Sequence, residues 1–190
     1  MEYYRNYVRD LAQSMQDLEV TDAKGASLDI AFAFSQWMSM TQLVYQKSKQ
    51  VFFIGNGASC AIANHLSADS TKQGKLKGRT FSEASLLTAI GNDMSFDEVF
   101  SLPLKSYAAE GDLLITISSS GNSPNIVKAL SVAQELKLHT ITLSGLGPEN
   151  KSRRLGQLNF YIPGKSYGIV ESAHQALLHC WLDKWCLQFN

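Results

Sequence analysis

The sequence has few cysteines and no surplus of charge of either sign. Its 190 residues include three cysteines, Cys60, Cys180 and Cys186, an odd number that lacks the CxxC spacing of a zinc ribbon. We therefore expect reduced thiols in a cytoplasmic protein rather than a disulfide framework. Seventeen basic side chains balance seventeen acidic ones. This balance argues against nucleic acid as the main partner, because binding to a phosphate backbone requires a basic surplus.

Long apolar runs are also missing from the sequence. No stretch approaches the roughly 20 residues that a membrane-spanning helix needs. The first twenty residues mix charges of both signs and contain no apolar segment of the signal-peptide type. We expect no membrane partner. A hydrophobic fraction of 45% still suffices for a buried core, and the length predicts a single domain, residues 1–190.

Residues 1–48 have a helical pattern and differ from the rest of the chain. Apolar residues recur at alternating spacings of four and three, at Tyr4, Val8, Leu11, Met15 and Leu18. This spacing predicts a helix with one apolar face. Residues 21–25 predict a break, and residues 28–47 predict a second helix. A helical hairpin this apolar predicts an interface with another subunit, although the chain's own sheet could also cover it.

Residues 49–190 alternate between short apolar runs and helical patterns. The expected strands are 51–54, 85–88, 113–117, 140–143 and 159–162, and the expected helices are 59–72, 124–136 and 169–188. Strands that alternate with helices predict a parallel sheet with helices on both faces. The sequence therefore predicts an α/β fold, with a five-stranded parallel sheet in a flavodoxin-like sandwich.

Two of the expected strand-to-helix turns share the same chemistry. Residues 54–59 read IGNGAS and follow the first strand, and residues 118–123 read SSSGNS and follow the most apolar strand. Ligands of open parallel sheets bind beyond the carboxyl ends of the strands, where helix N-termini favour anions. Glycines there allow close approach of the backbone, and serine hydroxyls add neutral donors. These turns predict a phosphate site without lysine, although serine and glycine also form ordinary turns and helix caps.

Three motifs resemble those of the sugar isomerase (SIS) domain, and more narrowly those of phosphoheptose isomerases. They are Gly55–Ser59, Ala89–Asp93 and Ser118–Ser123. The resemblance implies interconversion of sedoheptulose 7-phosphate and D-glycero-D-manno-heptose 7-phosphate, which feeds heptose and cell-surface polysaccharide synthesis. It also implies a homotetramer with active sites between subunits. The sugar phosphate would be bound by Asn56, Gly57, Ala58, Ser59, Asp69, Asn92, Asp93, Ser118, Ser119, Ser120, Ser123 and Glu171.

Acid–base and metal chemistry is indicated on two of the expected helices. His65 and Asp69 are four residues apart and share a helical face, while Glu171, Gln175 and His179 follow each other at intervals of four. Such groups on facing helices can bind a divalent metal, although each histidine alone could be an ordinary core or surface residue.

The resemblance implies more about these residues. It implies one zinc ion held by His65, Asp69, Glu171 and His179, with Asp69 and His179 as the catalytic base and acid. Asp69 stands where the family usually has Glu, and Glu171 where it usually has Gln. Eight residues of helix rise about 12 Å, a long reach for two ligands of one ion. Gln175 is the substitute ligand if Glu171 cannot reach.

A further departure and two alternative functions stay open at this point. The family usually has an arginine at the position of Gln73, and the cationic segment 72–79 predicts a solvated loop, unless Lys72 or Lys75 contacts a phosphate. The first alternative is a catalytically silent SIS paralogue that acts as a tetrameric scaffold, like the replication initiator-associating protein. The second, a sugar-phosphate-sensing regulator, lacks a DNA-binding segment.

Overall fold

The computed structural model describes residues 1–189 and consists of one mixed sheet with helices on both faces. The strands are β1 (Glu19–Asp22), β2 (Ser27–Leu28), β3 (Gln50–Gly55), β4 (Lys77–Arg79), β5 (Leu113–Ser118), β6 (His139–Gly145) and β7 (Leu158–Ile162). The helices are α1 (Glu2–Gln16), α2 (Ile30–Gln46), α3 (Ala58–Lys72), α4 (Ala84–Asp93), α5 (Ser101–Tyr107), α6 (Pro124–Glu135) and α7 (Tyr167–Cys186).

The sheet has the strand order β2-β1-β7-β6-β5-β3-β4. Five neighbouring strands, from β7 through β6, β5 and β3 to β4, are parallel, which confirms the predicted parallel core. Strands β1 and β2 extend the β7 edge in the antiparallel direction. Because β3 and β5 are adjacent and parallel, the turns that follow them lie at the same edge of the sheet.

Alternation along each strand divides the core between the two faces of the sheet. In β3, Val51 and Phe53 pack with α2, α3 and α7, whereas Phe52 and Ile54 pack with α4, α5 and α6. On the first face, Trp37 of α2 stacks on Trp181 of α7, with ring centroids 5.2 Å apart. The indole of Trp181 also donates to Thr41 Oγ1 at 3.0 Å. These contacts join α7, a helix of the candidate site, to α2.

The amino-terminal segment differs in part from the predicted helical hairpin. Its two helices are present, but β1 and the short β2 lie between them in sequence, and β1 pairs with β7. Residues 21–25 are therefore a strand end and a turn of the same sheet. The apolar face of α1 is mostly uncovered: Tyr4, Val8 and Met15 are all exposed. Only its end reaches the core, through Leu18.

One predicted strand was wrong. Residues 85–88 lie in α4, and the edge strand is instead β4, a Lys-Gly-Arg segment that pairs with β3. Leu86 and Leu87 pack on the core together with Ile90, which is the side-chain spacing of a helix face. A four-residue apolar run cannot by itself distinguish a strand from a buried helical turn. No helix in residues 1–189 is long and apolar enough to cross a membrane.

Candidate active site

The turns after β3 and β5 are tied together by a pair of asparagines. Asn56 follows β3, and Asn125 lies in the first turn of α6. Each side-chain amide donates to the carbonyl oxygen of the other, at 3.0 and 2.9 Å. This reciprocal pair fixes the start of α3 beside the start of α6. Two helix N-termini, whose dipoles favour an anion, therefore point toward one volume.

Glycines allow both turns to pack this closely. A Cβ on Gly55 would lie 2.7 Å from the backbone of Ser59, so the strand end and the first turn of α3 approach within van der Waals distance. Gly121 has φ +61° and lies against Asn150, whose Oδ1 would be 2.1 Å from an added Cβ. Asn150 is buried, and its amide donates to Ser144 Oγ and to the Gly147 carbonyl. The Asn150 side chain, which its hydrogen bonds hold in place, therefore packs against residues 118–123, which we call the serine turn.

A cavity of about 150 Å³, which we call the serine cavity, opens between the two turns. It is lined by Asn56, Ser59, Ile117, Ser118, Ser119, Ser120, Ser123, Tyr167 and Glu171. The Ser119 hydroxyl is buried and has no hydrogen-bond partner within residues 1–189, and Ser123 does not cap α6 with its side chain. Unused hydroxyl donors around two helix N-termini provide a neutral, hydrogen-bonding receptor for a small oxyanion. Gly57 and Ala58 lie beside this cavity, exposed in the first turn of α3.

Three contributors to this site were missed by sequence reasoning. Ile117 and Tyr167 line the cavity, and Asn125 holds Asn56. Tyr167 lies four residues before Glu171 on α7, so the helical spacing could have indicated it once Glu171 was chosen. Asn125 carries no such signal, because its role depends on a partner 69 residues away.

His65, Asp69 and His179 form a second cluster where α3 contacts α7. One ligand atom from each lies within 4.8 Å of the other two. His65 Nε2 is 3.3 Å from Asp69 Oδ2, and the two imidazole rings are 5.2 Å apart between centroids. Two imidazoles and a carboxylate are a donor set that suits a divalent first-row metal and leaves open coordination positions. The structure thus contains a possible metal site made of these three residues.

Glu171, predicted as a fourth ligand, is not part of this cluster. It lines the serine cavity instead, and about 12 Å of helical rise separates it from His179. Gln175, the predicted substitute, lies between them on α7 with an exposed side chain. The two functions predicted for this helix are thus divided: its first turn faces the serine cavity and its middle faces the cluster.

Asn92 and Asp93 do not line the cavity of their own chain. They are exposed at the end of α4, where the Asn92 amide donates to Asp93 Oδ1 at 2.8 Å. α4 packs on the opposite face of the sheet from α3 and α7. Within a single chain, the fold does not bring this predicted pair to the other site residues.

The cationic segment after α3 lies away from the serine cavity. Lys72 and Gln73 end α3, and the ammonium group of Lys75 sits 4.4 Å above the ring of Phe189. Lys77 donates to the Ser48 carbonyl just past the end of α2. These lysines surround two helix C-termini, whose carbonyl groups favour cations. Their positions account for the charge without a phosphate ligand.

His174 is a fully buried histidine between the cavity and the cluster on α7. Its Nε2 lies 3.0 Å from the Ser144 carbonyl, and its Nδ1 has no partner within the described chain. Burial lowers the pKa of His174 from 6.5 to about 4, because the desolvated ring resists a positive charge, although the bond to Ser144 opposes this shift. The imidazole is therefore neutral at pH 7, with its proton on Nε2.

We expect this buried imidazole to make the fold acid-sensitive. His174 takes up a proton near pH 6.5 in the unfolded chain and near pH 4 in the folded chain. The contribution of the neutral ring to the free energy of unfolding is therefore complete above pH 6.5 and is lost as the pH falls to 4. The loss amounts to about 3 kcal/mol. Urea unfolding from pH 7 to 4, at fixed protein concentration, should show a steeper fall for the wild type than for His174→Gln. Parallel curves would contradict the prediction.

Comparisons with known proteins agree with this geometry. The family model described as SIS domain matches residues 4–145. Phosphoheptose isomerase of Citrifermentans bemidjiense is 33% identical over 162 residues, covering 82% of this chain and 83% of that protein. The same-named protein of Nitratidesulfovibrio vulgaris is 40% identical over 139 residues, covering 70% and 66%.

A solved structure extends the similarity to the whole fold. Phosphoheptose isomerase GmhA from Neisseria gonorrhoeae superposes with a TM-score of 0.82 at 26% identity, covering 97% of this chain and 96% of that one. The matched range of the SIS model includes β3, β5 and β6 with the turns that enclose the serine cavity. The chain belongs to the SIS domain family.

Proposed function

We propose that this protein is a sugar-phosphate isomerase that interconverts sedoheptulose 7-phosphate and D-glycero-D-manno-heptose 7-phosphate. The observation that carries the proposal is the arrangement of α3 and α7, which both lead from the serine cavity to the His65, Asp69 and His179 cluster. Similarity to proteins named phosphoheptose isomerase supports the same activity. The product would enter heptose and cell-surface polysaccharide synthesis.

The serine cavity would hold the phosphate group. Its volume of about 150 Å³ suits a phosphate better than a whole sugar phosphate, so the carbon chain must leave the cavity past Tyr167 and Glu171. Neutral donors and helix N-termini balance the charge there without a lysine. Hydroxyls of the sugar near the opening would meet Glu171, a carboxylate that accepts hydrogen bonds.

The distance between the cavity and the cluster favours a long carbon chain. Glu171 at the cavity and His179 in the cluster are separated by about 12 Å along α7. Six carbon–carbon bonds of about 1.5 Å span roughly 7 to 8 Å when extended, and the phosphate ester adds to this reach. A seven-carbon phosphate can therefore place its first two carbons near the cluster, whereas a three-carbon phosphate cannot.

Asp69 and His179 would carry out the proton transfers. Asp69 removes a proton from C1 of the ketose, the C–H electron pair becomes the C1=C2 bond of an enediol, and His179 donates a proton to O2. Return of the C1 hydroxyl proton to His179 and of a proton from Asp69 to C2 gives the aldose. His65 orients that carboxylate, because its Nε2 lies 3.3 Å from Asp69 Oδ2.

The three clustered residues also fit the zinc ion that we propose as cofactor. When bound, the ion would supply polarisation of the carbonyl and its neighbouring hydroxyl. Titration of chelator-treated protein with zinc in a calorimeter should show one ion per chain, with affinity at least about tenfold weaker in His65→Ala. Glu171→Gln serves as the matched variant outside the cluster and should remain within about threefold of wild type. Binding that His65→Ala leaves unchanged would contradict the assignment.

We also propose a homotetramer with active sites between subunits. The uncovered apolar face of α1 supports an interface made by residues 1–48. The placement of Asn92 and Asp93 away from their own cavity supports their use in the site of a neighbouring subunit. Three free cysteines support a reducing, cytoplasmic location.

The experiment that tests the activity is proton exchange with solvent. Purified protein and sedoheptulose 7-phosphate in deuterium oxide, followed by NMR, should give deuterium at C1 of the ketose and at C2 of the aldose. Fructose 6-phosphate serves as the shorter comparison substrate and should exchange more slowly. A folded protein that catalyses no exchange would contradict the proposal and favour the catalytically silent scaffold.

A further inference from the structure

We propose that His174 is a positioning residue that fixes α7 against the end of β6 and thereby sets the geometry of the serine cavity. The inference rests on the proposed use of that cavity for phosphate. It is independent of the isomerisation chemistry, because His174 neither lines the cavity nor belongs to the metal cluster.

The residue type at this position is unexpected for a core helix. The other residues of α7 that are buried are all apolar: Ile169, Val170, Ala173, Leu177, Leu178, Trp181, Leu182 and Trp185. A histidine in this row loses its hydration, and its Nδ1 has no hydrogen-bond partner among residues 1–189. Leucine would fill the same space without that cost. A buried polar group of this kind requires an explanation in terms of the one bond it makes.

That bond joins the two elements that carry opposite walls of the cavity. The Nε2–H of His174 donates to the Ser144 carbonyl in β6, and Ser144 pairs with Ser118 at the end of β5. On the helix side, Glu171 lies about one turn and Tyr167 about two turns before His174, and both line the cavity. The bond therefore sets the distance between the α7 wall and the serine wall.

The strand side of this bond continues into the serine turn itself. The backbone N–H of Gly145, next to Ser144, donates to the Ser119 carbonyl at 3.1 Å. The Asn150 amide donates to Ser144 Oγ at 3.2 Å, and the same Asn150 packs against Gly121 of the turn. A displacement of the β6 end would thus reach the turn through two separate contacts.

The test compares two variants of His174 by their binding of inorganic phosphate. His174→Phe keeps an aromatic ring of similar size but removes the donor, and we expect it to weaken phosphate binding about tenfold. His174→Gln places an amide N–H near the position of Nε2 and should restore binding to within about threefold of wild type. Leu182→Ala is the matched control, because it makes a core cavity on the same helix away from the serine turn. It should lower stability but leave phosphate binding unchanged.

The outcomes separate a positioning role from a purely structural one. Phosphate binding as tight in a folded His174→Phe as in wild type would overturn the proposal, as would a His174→Gln variant as weak as His174→Phe. If His174→Phe does not fold, titration of the wild type with phosphate, followed by imidazole ¹⁵N NMR, decides instead. The His174 signals should then shift as phosphate saturates, and unchanged signals would overturn the proposal. Phosphate binding without turnover would contradict the isomerase activity and leave this inference intact.

Discussion

Replacing His179 by alanine, or Asp69 by asparagine, should lower turnover of sedoheptulose 7-phosphate by at least about 10³-fold. Both residues lie in the cluster where α3 contacts α7, with ligand atoms within 4.8 Å of each other and of His65. Removal of the carboxylate leaves no base for the C1 proton. Removal of the imidazole leaves the developing charge on O2 without a donor, so either loss alone should remove most of the catalysis.

The measurement separates catalysis from binding. Steady-state kinetics should show the loss in kcat, whereas inorganic phosphate should inhibit or bind as in wild type, because the serine cavity does not include these side chains. His139→Ala is the matched control, since this histidine lies at the opposite end of β6, near Gln157. Turnover of His179→Ala within tenfold of wild type would remove His179 from the mechanism.

Substitution of Gly121 by alanine should weaken phosphate binding by about 100-fold and destabilise the fold by about 2 to 4 kcal/mol. The backbone there has φ +61°, and the new methyl group would lie 2.1 Å from Asn150 Oδ1. Asn150 cannot move aside without cost, because it is buried and its amide makes two hydrogen bonds. The serine turn must shift instead, and its hydroxyls move with it.

A neighbouring glycine provides the control for this change. Gly147 lies in the loop that Asn150 also contacts, but an added Cβ there would meet nothing within 4 Å. Gly147→Ala should therefore bind phosphate within about threefold of wild type. Calorimetry with inorganic phosphate and urea unfolding would measure both effects. A Gly121→Ala protein with wild-type phosphate affinity would exclude the serine turn as the phosphate site.

Local sequence patterns predicted the elements that are rich in apolar side chains. The apolar run at residues 113–117 is the buried strand β5, and the serine turn follows it as expected. β4 gave no such signal, because Lys77, Gly78 and Arg79 have no apolar character. It forms a strand because it pairs with β3, and this pairing is a long-range contact that residue preference does not report.

The candidate site also has a part that local sequence predicts and a part that only long-range packing decides. The spacing of His65 and Asp69 on one helical face, and the two glycine-containing turns, follow from the order of residues alone, since helical period and turn chemistry are local. Only the tertiary structure decided that His179 joins the first pair, that Glu171 faces the serine cavity, and that Asn92 and Asp93 lie elsewhere. Those placements depend on the packing of α7 on the sheet, through Trp181 against Phe53 and through His174. The few cysteines and the balanced charge argued against a disulfide framework and against nucleic acid as the main partner. Packing between distant segments determined which polar groups meet.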